Sequence, residues 1–438
     1  MTFFWKRPRA SRLAGKKLLS KQTSHIELTI PAHFRCPISL DLMKDPVTLS
    51  TGITYDRESI EKWIRDGNQT CPVTNQVLTN FDQIPNHMIR RMIQDWCVEN
   101  RAHGVERIPT PRTPITCYDI IEIGSKMMAL ASKGDAKRCL GLVEKINVWA
   151  KESEQSKSLI KDNGLGFVLA ASFESFASLS CEKNEDVIKE IMLMLTWMFP
   201  LGIEGRSKLG STQSLRCMTR LLSVDDLLLK KSCILTLKEL LSTDQTHVKA
   251  LIDIDGLPEA LINLINAPDS LSIKKSSFSV IYHIISTQLG HKRLSSRFLE
   301  LGAVELSLEA LVEGDKGLSE MALGVLDRIS DSREGNERVQ KHALSVPLMV
   351  KKILRVSSLA TEFCVSILWK LSNINGDGGA LVEALHVGAF QKLLLMLQVN
   401  CGEETKMKAT EMLKLMNQYK NKLECFDSGH YKYLRKSY

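Results

Sequence analysis

Paired cysteines are missing from this sequence. Its 11 cysteines stand singly, and no two of them are separated by only two residues. Structural zinc sites are usually built from such closely spaced pairs, and an odd number of scattered cysteines does not suit a disulfide framework. The pattern favours a reducing compartment, so we expect a cytoplasmic protein, with the nucleus and a membrane surface as alternative locations.

Long hydrophobic runs and aromatic residues are also scarce. No apolar run reaches the ~18 residues that a membrane-spanning helix needs, and residues 3–5 are too few for the apolar core of a secretory signal. Aromatic residues make up 6% of the chain, whereas leucine, isoleucine and methionine are abundant. This balance favours helices over sheets, in which tyrosine, phenylalanine, tryptophan and valine are preferred.

Negative charge is absent from the start of the chain. The formal net charge is +8, and seven positive charges precede the first acidic residue, Glu27: Lys6, Arg7, Arg9, Arg12, Lys16, Lys17 and Lys21. The rest of the chain is close to neutral, which argues against a nucleic-acid-binding protein. We predict that residues 1–28 form a solvated, disordered leader. Nuclear import and peripheral contact with an anionic membrane are the alternatives.

Prolines and turn residues divide the rest of the chain. Residues 29–105 are rich in proline, glycine and aspartate and predict a small compact unit, with a hairpin over 47–55 and helices capped by Asp56 and Asn86. Residues 106–116 contain three prolines within six positions and predict an extended linker. We expect a helical region over 117–425 and a C-terminal tail over 426–438.

The helical region repeats itself. Segments led by glycine recur at intervals of 46, 46, 46 and 86 residues, and the last interval is two units of 43: Gly164, Gly210, Gly256, Gly302 and Gly388. A period of ~40–47 residues with two or three helices is typical of armadillo and HEAT repeats, which stack into a superhelix with an extended binding surface. We predict about five to seven units between residues 120 and 420, with each glycine ending a helix in the left-handed conformation.

Two segments of the compact unit look like zinc-binding loops that have each lost a ligand. Cys36-Pro37-Ile38-Ser39 and Cys71-Pro72-Val73-Thr74 keep the first cysteine of a zinc-type pair and replace the second by a hydroxyl. His33 and His87 are too few to complete two sites, so we expect no metal and no cofactor. Hydrogen bonds and charge pairs should hold the loops instead, around a core that includes Tyr55; the candidates are Ser39, Asp41, Asp56, Arg57, Thr74 and Asn86.

The same residues carry a resemblance to a known family. Residues 34–47 (FRCPISLDLMKDPV) and 50–57 (STGITYDR), followed by Ile60, Trp63, Thr70-Cys71-Pro72 and Ile84-Pro85-Asn86, resemble a U-box, a RING-like fold without zinc. With the armadillo-like repeats behind it, the chain resembles the plant U-box/armadillo-repeat ubiquitin ligases. The expected fold is therefore mainly α, with a small α+β U-box followed by an α-solenoid of armadillo-type repeats.

The resemblance implies that a ubiquitin-conjugating enzyme docks on the two loops and on the groove beside the central helix. It assigns docking to Ile38, Leu40, Trp63 and Pro72. The ligase would hold the ubiquitin thioester of that enzyme close to a lysine of a protein substrate bound by the repeats, without a covalent intermediate of its own. Asn75 stands where many RING proteins and some U-box proteins carry an arginine or lysine that bridges enzyme and ubiquitin, which implies a weaker activation here.

Three other interpretations stay open at this point. The chain could be a non-catalytic armadillo scaffold or adaptor with a degenerate U-box, or a zinc-dependent RING. It could also carry ubiquitin covalently on Cys36 or Cys71, although no activating base stands beside either residue. The intact set of Ile38, Trp63 and Pro72 favours the ligase, because a decayed docking site should lose its exposed apolar residues first.

Overall fold

The chain forms two compact units that divide between Pro114 and Ile115. The computed structural model describes residues 30–103, 105–108, 115–268, 270–374, 378–399 and 401–420. The predicted leader over 1–28 and the predicted tail over 426–438 lie outside the described residues, as do the three prolines of the predicted linker. Each unit has its own buried core and is described by itself.

The N-terminal unit is a three-stranded antiparallel sheet with two helices. The strands have the order β2-β1-β3, and Val47 in β1 pairs with Tyr55 in β2 and with Pro85 in β3. The hairpin and both helices are predicted from the sequence, whereas the two-residue strand β3 is not. The elements are β1 Pro46–Thr48, β2 Thr54–Asp56, α1 Arg57–Arg65, β3 Ile84–Pro85 and α2 His87–Glu99, with short 3-10 turns at Ala32–Phe34 and Arg101–His103.

The core of this unit extends further along the chain than the sequence suggests. Val47, Tyr55, Ile60 and Ile93 are completely buried between the sheet and the two helices. Ile108, which the sequence analysis places in the linker, is only 5% exposed and belongs to the same core. The N-terminal unit therefore continues beyond residue 105, because burying an isoleucine side chain is worth about 1.5–3 kcal/mol.

The C-terminal unit is entirely helical in the part that the structure describes. Two long helices, α3 and α4, are followed by six three-helix units, which agrees with the predicted number of repeats. The helices are α3 Cys117–Lys133, α4 Ala136–Glu152, α5 Glu154–Asp162, α6 Leu165–Ser180, α7 Glu185–Met198, α8 Ile203–Leu209, α9 Thr212–Leu221, α10 Leu227–Thr243, α11 His247–Ile252, α12 Leu257–Asn266, α13 Leu271–Ser286, α14 Gln288–Glu300, α15 Ala303–Glu313, α16 Lys316–Ile329, α17 Arg333–Lys341, α18 Ser345–Lys352, α19 Ser358–Ile374, α20 Gly379–His386, α21 Ala389–Leu397 and α22 Glu403–Lys420.

Stacking of the units buries their apolar faces. The last helix of each three-helix unit packs against the last helix of the next unit, in the order α7, α10, α13, α16, α19 and α22, and α4 packs against α7 at the start of the series. One repeat cannot bury its own apolar face, so a single continuous core runs through the array. Among the described helices, none is by itself long and apolar enough to cross a membrane. The pair Gly379–His386 and Ala389–Leu397, bent by 84°, passes that test only when its members are joined.

The glycines that mark the repeats do not all serve the same purpose. Four of them have positive φ values of 78°, 80°, 87° and 84°, as predicted for a left-handed residue before a helix: Gly164, Gly256, Gly302 and Gly388. The prediction is wrong for Gly210, whose φ is −79°. There, the Ser211 hydroxyl caps the next helix, and any Cβ on Gly210 would collide with the His247 ring. The glycine is needed at that position for packing.

A glycine inside a helix allows two aromatic rings from non-adjacent units to meet. Tyr282 on α13 and Phe363 on α19 contact each other edge to face across α16, with 5.8 Å between ring centroids. The α16 residue beneath them is Gly324, where a Cβ would come within 2.9 Å of Tyr282 and 3.2 Å of Phe363. A side chain at that position would therefore force the rings apart.

Candidate functional site

The first cysteine-containing loop, residues 36–41 (loop 1), is closed by backbone hydrogen bonds. The Cys36 N–H donates to the Asp41 carbonyl at 2.8 Å, and the Leu40 N–H donates to the Cys36 carbonyl at 2.9 Å. Leu40 has a φ of +63°, which is uncommon for a residue other than glycine. The loop is therefore a tight, well-defined turn that holds Leu40 at its tip.

The second loop, residues 71–76 (loop 2), repeats this geometry position by position. The Cys71 N–H donates to the Gln76 carbonyl at 2.8 Å, and the Asn75 N–H donates to the Cys71 carbonyl at 2.9 Å. Asn75 has a φ of +56° and so corresponds to Leu40 of loop 1. The two loops are thus two copies of one turn that differ in the side chains they present.

Strand β2 binds the sulfur atom of both loops. The Cys36 Sγ accepts a hydrogen bond from the Asp56 N–H at 3.3 Å and is completely buried. Burial raises the pKa of the Cys36 thiol, but the backbone N–H groups of Ser39, Asp56 and Ile38 and the Ser39 hydroxyl outweigh it and hold that pKa below its usual value. The sulfur therefore serves as a hydrogen-bond acceptor that fixes loop 1 to the sheet.

Hydroxyl groups surround the other sulfur. Cys71 Sγ lies 3.1 Å from the Tyr55 hydroxyl and 3.4 Å from the Thr51 hydroxyl. Burial raises the pKa of the Cys71 thiol, but hydrogen bonds from Thr51, Thr74 and Tyr55 lower it to about 6. Burial, together with the neighbouring sulfur, raises the pKa of Tyr55 in turn. In the described part of the chain, no three His, Cys, Asp or Glu side chains converge in a way that could hold a metal ion.

Asp45, which is not among the predicted structural residues, connects three elements. Its carboxylate accepts a hydrogen bond from Arg57 Nε on α1 at 2.7 Å and binds the Arg90 guanidinium on α2. The Arg57 N–H also donates to the Asp45 carbonyl at 2.9 Å. Arg57 is among the predicted structural residues, but its partner lies 12 positions away and Arg90 lies 45 positions away, distances at which sequence patterns give no signal.

Asp56 has a different role from the one predicted for it. It occupies the N-cap position of α1, but its side chain makes no capping bond, so the predicted side-chain cap is wrong. Instead, its Oδ1 accepts hydrogen bonds from the N–H groups of Lys44 and Asp45, both at 2.8 Å. Burial and the negative charge of Asp45 raise the pKa of Asp56 despite those two bonds. Asp56 thus fixes the segment after loop 1 to strand β2.

Asn86 ties the start of α2 to the hairpin. Its Oδ1 accepts a hydrogen bond from the Ile89 N–H at 3.0 Å, which is the predicted cap. Its Nδ2 donates to the hydroxyls of Thr48 and Thr54 at 3.2 and 3.3 Å. One amide side chain therefore fixes the position of α2 relative to β1 and β2.

Three other predicted structural residues act only inside their own loops. The Ser39 hydroxyl accepts a hydrogen bond from the Asp41 N–H at 3.4 Å, and the Thr74 hydroxyl accepts one from the Gln76 N–H at 3.5 Å. The Asp41 side chain is exposed, and its carboxylate makes no ion pair or hydrogen bond within the described residues. The charge pairs described for this unit are those of Asp45 with Arg57 and Arg90, which join the segment after loop 1 to α1 and α2.

The residues predicted to dock a partner lie on the outer side of the two loops. Leu40 is 63% exposed, whereas Ile38 and Pro72 are half-buried and Asn75 is exposed at the tip of loop 2. Val73, which the sequence analysis does not select, is 52% exposed. It occupies the position of loop 2 that corresponds to Ile38, so aligning the two loops would have identified it.

Trp63 connects the central helix α1 to loop 2. Its Nε1–H donates to the Thr70 carbonyl at 2.8 Å, and its own carbonyl accepts a hydrogen bond from Asn68 Nδ2 at 3.0 Å. The half-buried ring packs against the core of the unit while one side remains open to solvent. Trp63 therefore holds the start of loop 2 in place next to the exposed apolar residues.

These features define a class of protein: a U-box, with hydrogen-bonded loops in place of zinc sites, joined to an armadillo-type helical array. The family model of the U-box domain matches residues 30–102. The family model of the plant U-box protein ARM repeat region matches residues 119–436, which includes most of the predicted tail. The chain belongs to the plant U-box proteins with an ARM repeat region.

Individual relatives agree with this assignment. U-box domain-containing protein 21 of Arabidopsis thaliana is 46% identical over 442 residues, which cover 100% of both chains. E3 ubiquitin-protein ligase PUB22 of Arabidopsis thaliana is 34% identical over 432 residues, covering 89% of this chain and 94% of the relative. Among solved structures, a designed armadillo repeat protein aligns with 56% of this chain and 100% of its own length, at 17% identity and a TM-score of 0.45.

Proposed function

We propose that this chain is a ubiquitin-protein ligase that docks a ubiquitin-conjugating enzyme on its U-box and presents a protein substrate bound to its armadillo-type array. Membership in the U-box family supports the transferase class, and relatives that cover most of the chain are named E3 ubiquitin-protein ligases. The observation that carries the docking part is an apolar edge on two rigid loops, where Leu40 is 63% and Val73 is 52% exposed.

The loop geometry suits recognition of a folded partner. Exposed leucine and valine side chains on flexible loops would lose conformational entropy on binding, but each of these loops is already fixed by two backbone hydrogen bonds. Half-buried Ile38, Pro72 and Trp63 are the other apolar residues of the proposed docking surface. A patch of this extent matches a small and transient interface, below ~1,200 Å² in total.

The chemistry follows from holding two partners together. In the proposed reaction, a substrate lysine attacks the thioester carbon that joins ubiquitin to the conjugating enzyme; the isopeptide bond forms and the enzyme's thiol leaves. Proximity can contribute roughly 7–11 kcal/mol to such a step. A ubiquitin carrier on this chain is not needed, and Cys36 and Cys71 are both 0% exposed in the native loops.

Asn75 is the uncharged residue at the tip of loop 2. Its side chain can donate and accept hydrogen bonds, but it cannot form the ion pair that an arginine or lysine would provide. The proposal therefore includes a moderate rate of ubiquitin transfer, with Asn75 contributing hydrogen bonds to the bound enzyme or to ubiquitin.

Discharge of ubiquitin from a panel of charged conjugating enzymes tests the docking surface directly. We expect the full-length chain to accelerate discharge with at least one enzyme, and Ile38→Ala and Leu40→Ala each to reduce the acceleration about tenfold or more. Met88→Ala is a matched control, because Met88 is an apolar residue of α2 that is 71% exposed and lies outside both loops.

The outcomes separate the alternatives. If the loop variants keep full activity and native circular dichroism, the docking residues are misassigned. If the wild-type chain promotes no discharge with any enzyme of the panel, the non-catalytic scaffold is the better explanation. Removal of all residues after Pro114 should leave self-modification of the U-box largely intact and abolish modification of the substrate, because each unit has its own core.

A further inference from the structure

A cavity of about 330 Å³ lies in the C-terminal half of the armadillo-type array. It is bordered by the start of α16, by the segment that connects α18 to α19, and by Val399 and Cys401 after α21. Two cationic side chains line it, Lys316 from α16 and Arg355 from the connecting segment. The cavity therefore lies where the fourth, fifth and sixth three-helix units meet.

Neither cation of the cavity is neutralised. Within the described residues, Lys316 and Arg355 have no carboxylate within the distance of an ion pair, and both are exposed. Other cations lie close by. Burial and the positive charge of Arg355 lower the pKa of Lys392, and burial and Lys351 lower the pKa of Lys352. One carboxylate lies at the cavity wall, since Glu320 accepts a hydrogen bond from the lining residue Ser357, but it forms no ion pair with Lys316 or Arg355 in the described structure. An anion bound beside Arg355 would relieve its repulsion of Lys392.

Two neighbouring cations, Lys392 and Lys352, already form hydrogen bonds within the protein. Lys392 Nζ donates to the Val350 carbonyl at 2.5 Å, at the C-terminal end of α18, and Lys352 Nζ donates to the Ser319 hydroxyl at 3.0 Å. Ammonium groups at the end of a helix stabilise its last carbonyls. Lys316 and Arg355 have no such bond in the described structure. Their N–H donors are therefore available to a ligand in the cavity.

The backbone that presents Arg355 is fixed in an unusual conformation. Leu354 has a φ of +60°, which costs a leucine on the order of 1 kcal/mol or more. The Leu354 N–H donates to the Thr361 hydroxyl at 3.0 Å, and that hydroxyl donates to the Ser357 carbonyl at 2.9 Å. The turn that places Arg355 at the cavity is thereby locked to the first turn of α19 before any ligand binds.

The remaining walls combine a free hydroxyl with apolar side chains. Ser358 lines the cavity, and its side chain makes no hydrogen bond in the described structure. Leu354 and Val399 contribute apolar surface, being 42% and 51% exposed, and Val356 is half-buried beside them. An inorganic anion would leave these apolar walls uncovered, whereas an anion attached to an apolar peptide would cover them.

We propose that this cavity binds a phosphorylated segment of a protein partner, with Lys316 and Arg355 contacting the phosphate and the apolar walls contacting its neighbours. Two cations match the charge of a phosphate monoester, about −1.5 to −2 at neutral pH. An arginine can bind it through two parallel hydrogen bonds. The inference rests on the proposed function in one respect: in a ligase, such a partner is a substrate whose recognition depends on its phosphorylation.

Paired peptides test the proposal on the full-length chain. A set of immobilised synthetic peptides presents each sequence twice, with serine or phosphoserine at the centre and apolar residues on both sides. The affinities of the peptide pairs that give the strongest binding are then measured by fluorescence anisotropy. We expect the phosphorylated members to bind and their unphosphorylated partners to bind at least tenfold more weakly. Lys316→Ala and Arg355→Ala should each weaken phosphopeptide binding about tenfold, since hydrogen bonds to charged groups are worth about 1.5–3 kcal/mol.

Control variants distinguish this site from a general attraction of anions. Lys249 and Arg216 are also exposed residues of the array that form no ion pair in the described structure, so Lys249→Ala and Arg216→Ala should leave phosphopeptide binding unchanged. Lys316→Arg preserves the charge and should retain most of the binding. Inositol hexakisphosphate, a soluble polyphosphate, serves as the competitor that represents a ligand other than a peptide.

Three results would overturn the proposal. The first is that phosphorylated and unphosphorylated peptides bind equally well. The second is that the Lys316→Ala, Arg355→Ala double variant keeps the full preference for the phosphorylated peptide. The third is that the control variants lose as much phosphopeptide affinity as the Lys316 and Arg355 variants do. Strong binding of inositol hexakisphosphate through these two residues without binding of any phosphopeptide would also do so. The double variant should keep wild-type self-modification, since the U-box is a separate unit. Failure of peptide binding can thus be told apart from failure of ligase activity.

Discussion

The Asp45 carboxylate joins the segment after loop 1 to both helices of the U-box. It binds Arg57 at 2.7 Å and also contacts Arg90, and the three side chains are only 14–23% exposed. Asp45→Ala would leave two guanidinium groups close together, largely removed from water, and without their counter-charge. Removing one partner of a fully buried pair costs about 3–5 kcal/mol.

The remaining exposure of these side chains reduces the expected loss. Because water can reach each of them in part, we take the lower end of that range, about 3 kcal/mol for Asp45→Ala. For a domain of this size, each kcal/mol corresponds to a shift of ~4–8 °C in the melting temperature, so the variant should melt ~12–24 °C lower. Asp45→Asn keeps the size of the side chain and one oxygen acceptor, and we expect about half of that loss.

Tryptophan fluorescence during thermal and urea denaturation measures this effect in a fragment that covers residues 30–108, which contains Trp63 and Trp96. Asp41→Ala is a suitable control, since Asp41 lies in loop 1, only a few positions away, and its exposed carboxylate makes no bond in the described structure. Its stability should change by no more than ~0.5 kcal/mol. If Asp45→Ala melts within 2 °C of Asp41→Ala (roughly 0.5 kcal/mol), the ion pairs do not support the fold and the reasoning is refuted.

Other parts of the chain allow further predictions. Gly324→Ala should destabilise the array by about 1–3 kcal/mol, because the added methyl group meets two aromatic rings. Gly141→Ala should stabilise it by up to ~1 kcal/mol, because Gly141 lies on a helix and an added Cβ would have no atom within 4 Å. Equal melting temperatures for the two variants would contradict this prediction. The folded pKa of Cys71 lies below its usual 9.0, at about 6, so its contribution to U-box stability should be complete above pH 9 and lost as the pH falls through 6. Urea denaturation at several pH values measures this slope, which Cys71→Ser should remove. Asn75→Arg should raise the rate of ubiquitin discharge several-fold whereas Asn75→Ala should not, and an unchanged rate for the arginine variant would exclude a role for charge at that position.

The helical repeats could be predicted from the sequence because their signals are local. Apolar residues at helical spacing and a period near 43–46 residues are visible without knowledge of contacts. Residues 229–241 and 359–371, which are apolar at helical spacing, lie within the observed helices Leu227–Thr243 and Ser358–Ile374. The observed helices extend one to three residues beyond these segments, because helix ends are the part that a local pattern defines least well.

Contacts between distant residues account for what the sequence did not predict. Gly210 has the same sequence surroundings as the other repeat glycines, but it is required because the His247 ring of the next unit packs against it. The pairing of Asp45 with Arg90 depends on how α2 lies across the hairpin. Ile108 follows an apparently polar segment and is buried only because the chain returns to the core. In each case the partner is set by tertiary packing, which a pattern along the chain does not record.

The two loops show how one backbone can serve two functions. Positions that keep the turn closed are alike in both loops: a buried cysteine, a proline and a hydroxyl residue. The tip positions are held in the left-handed conformation by equivalent backbone bonds at 2.9 Å, yet one holds Leu40 and the other Asn75. Because neither tip side chain contributes to closing its turn, these two positions are free to differ according to what they contact. In the proposed function, loop 1 offers an apolar residue for docking and loop 2 offers an amide for hydrogen bonding, whereas substitutions of Cys36 or Cys71 would act first on folding.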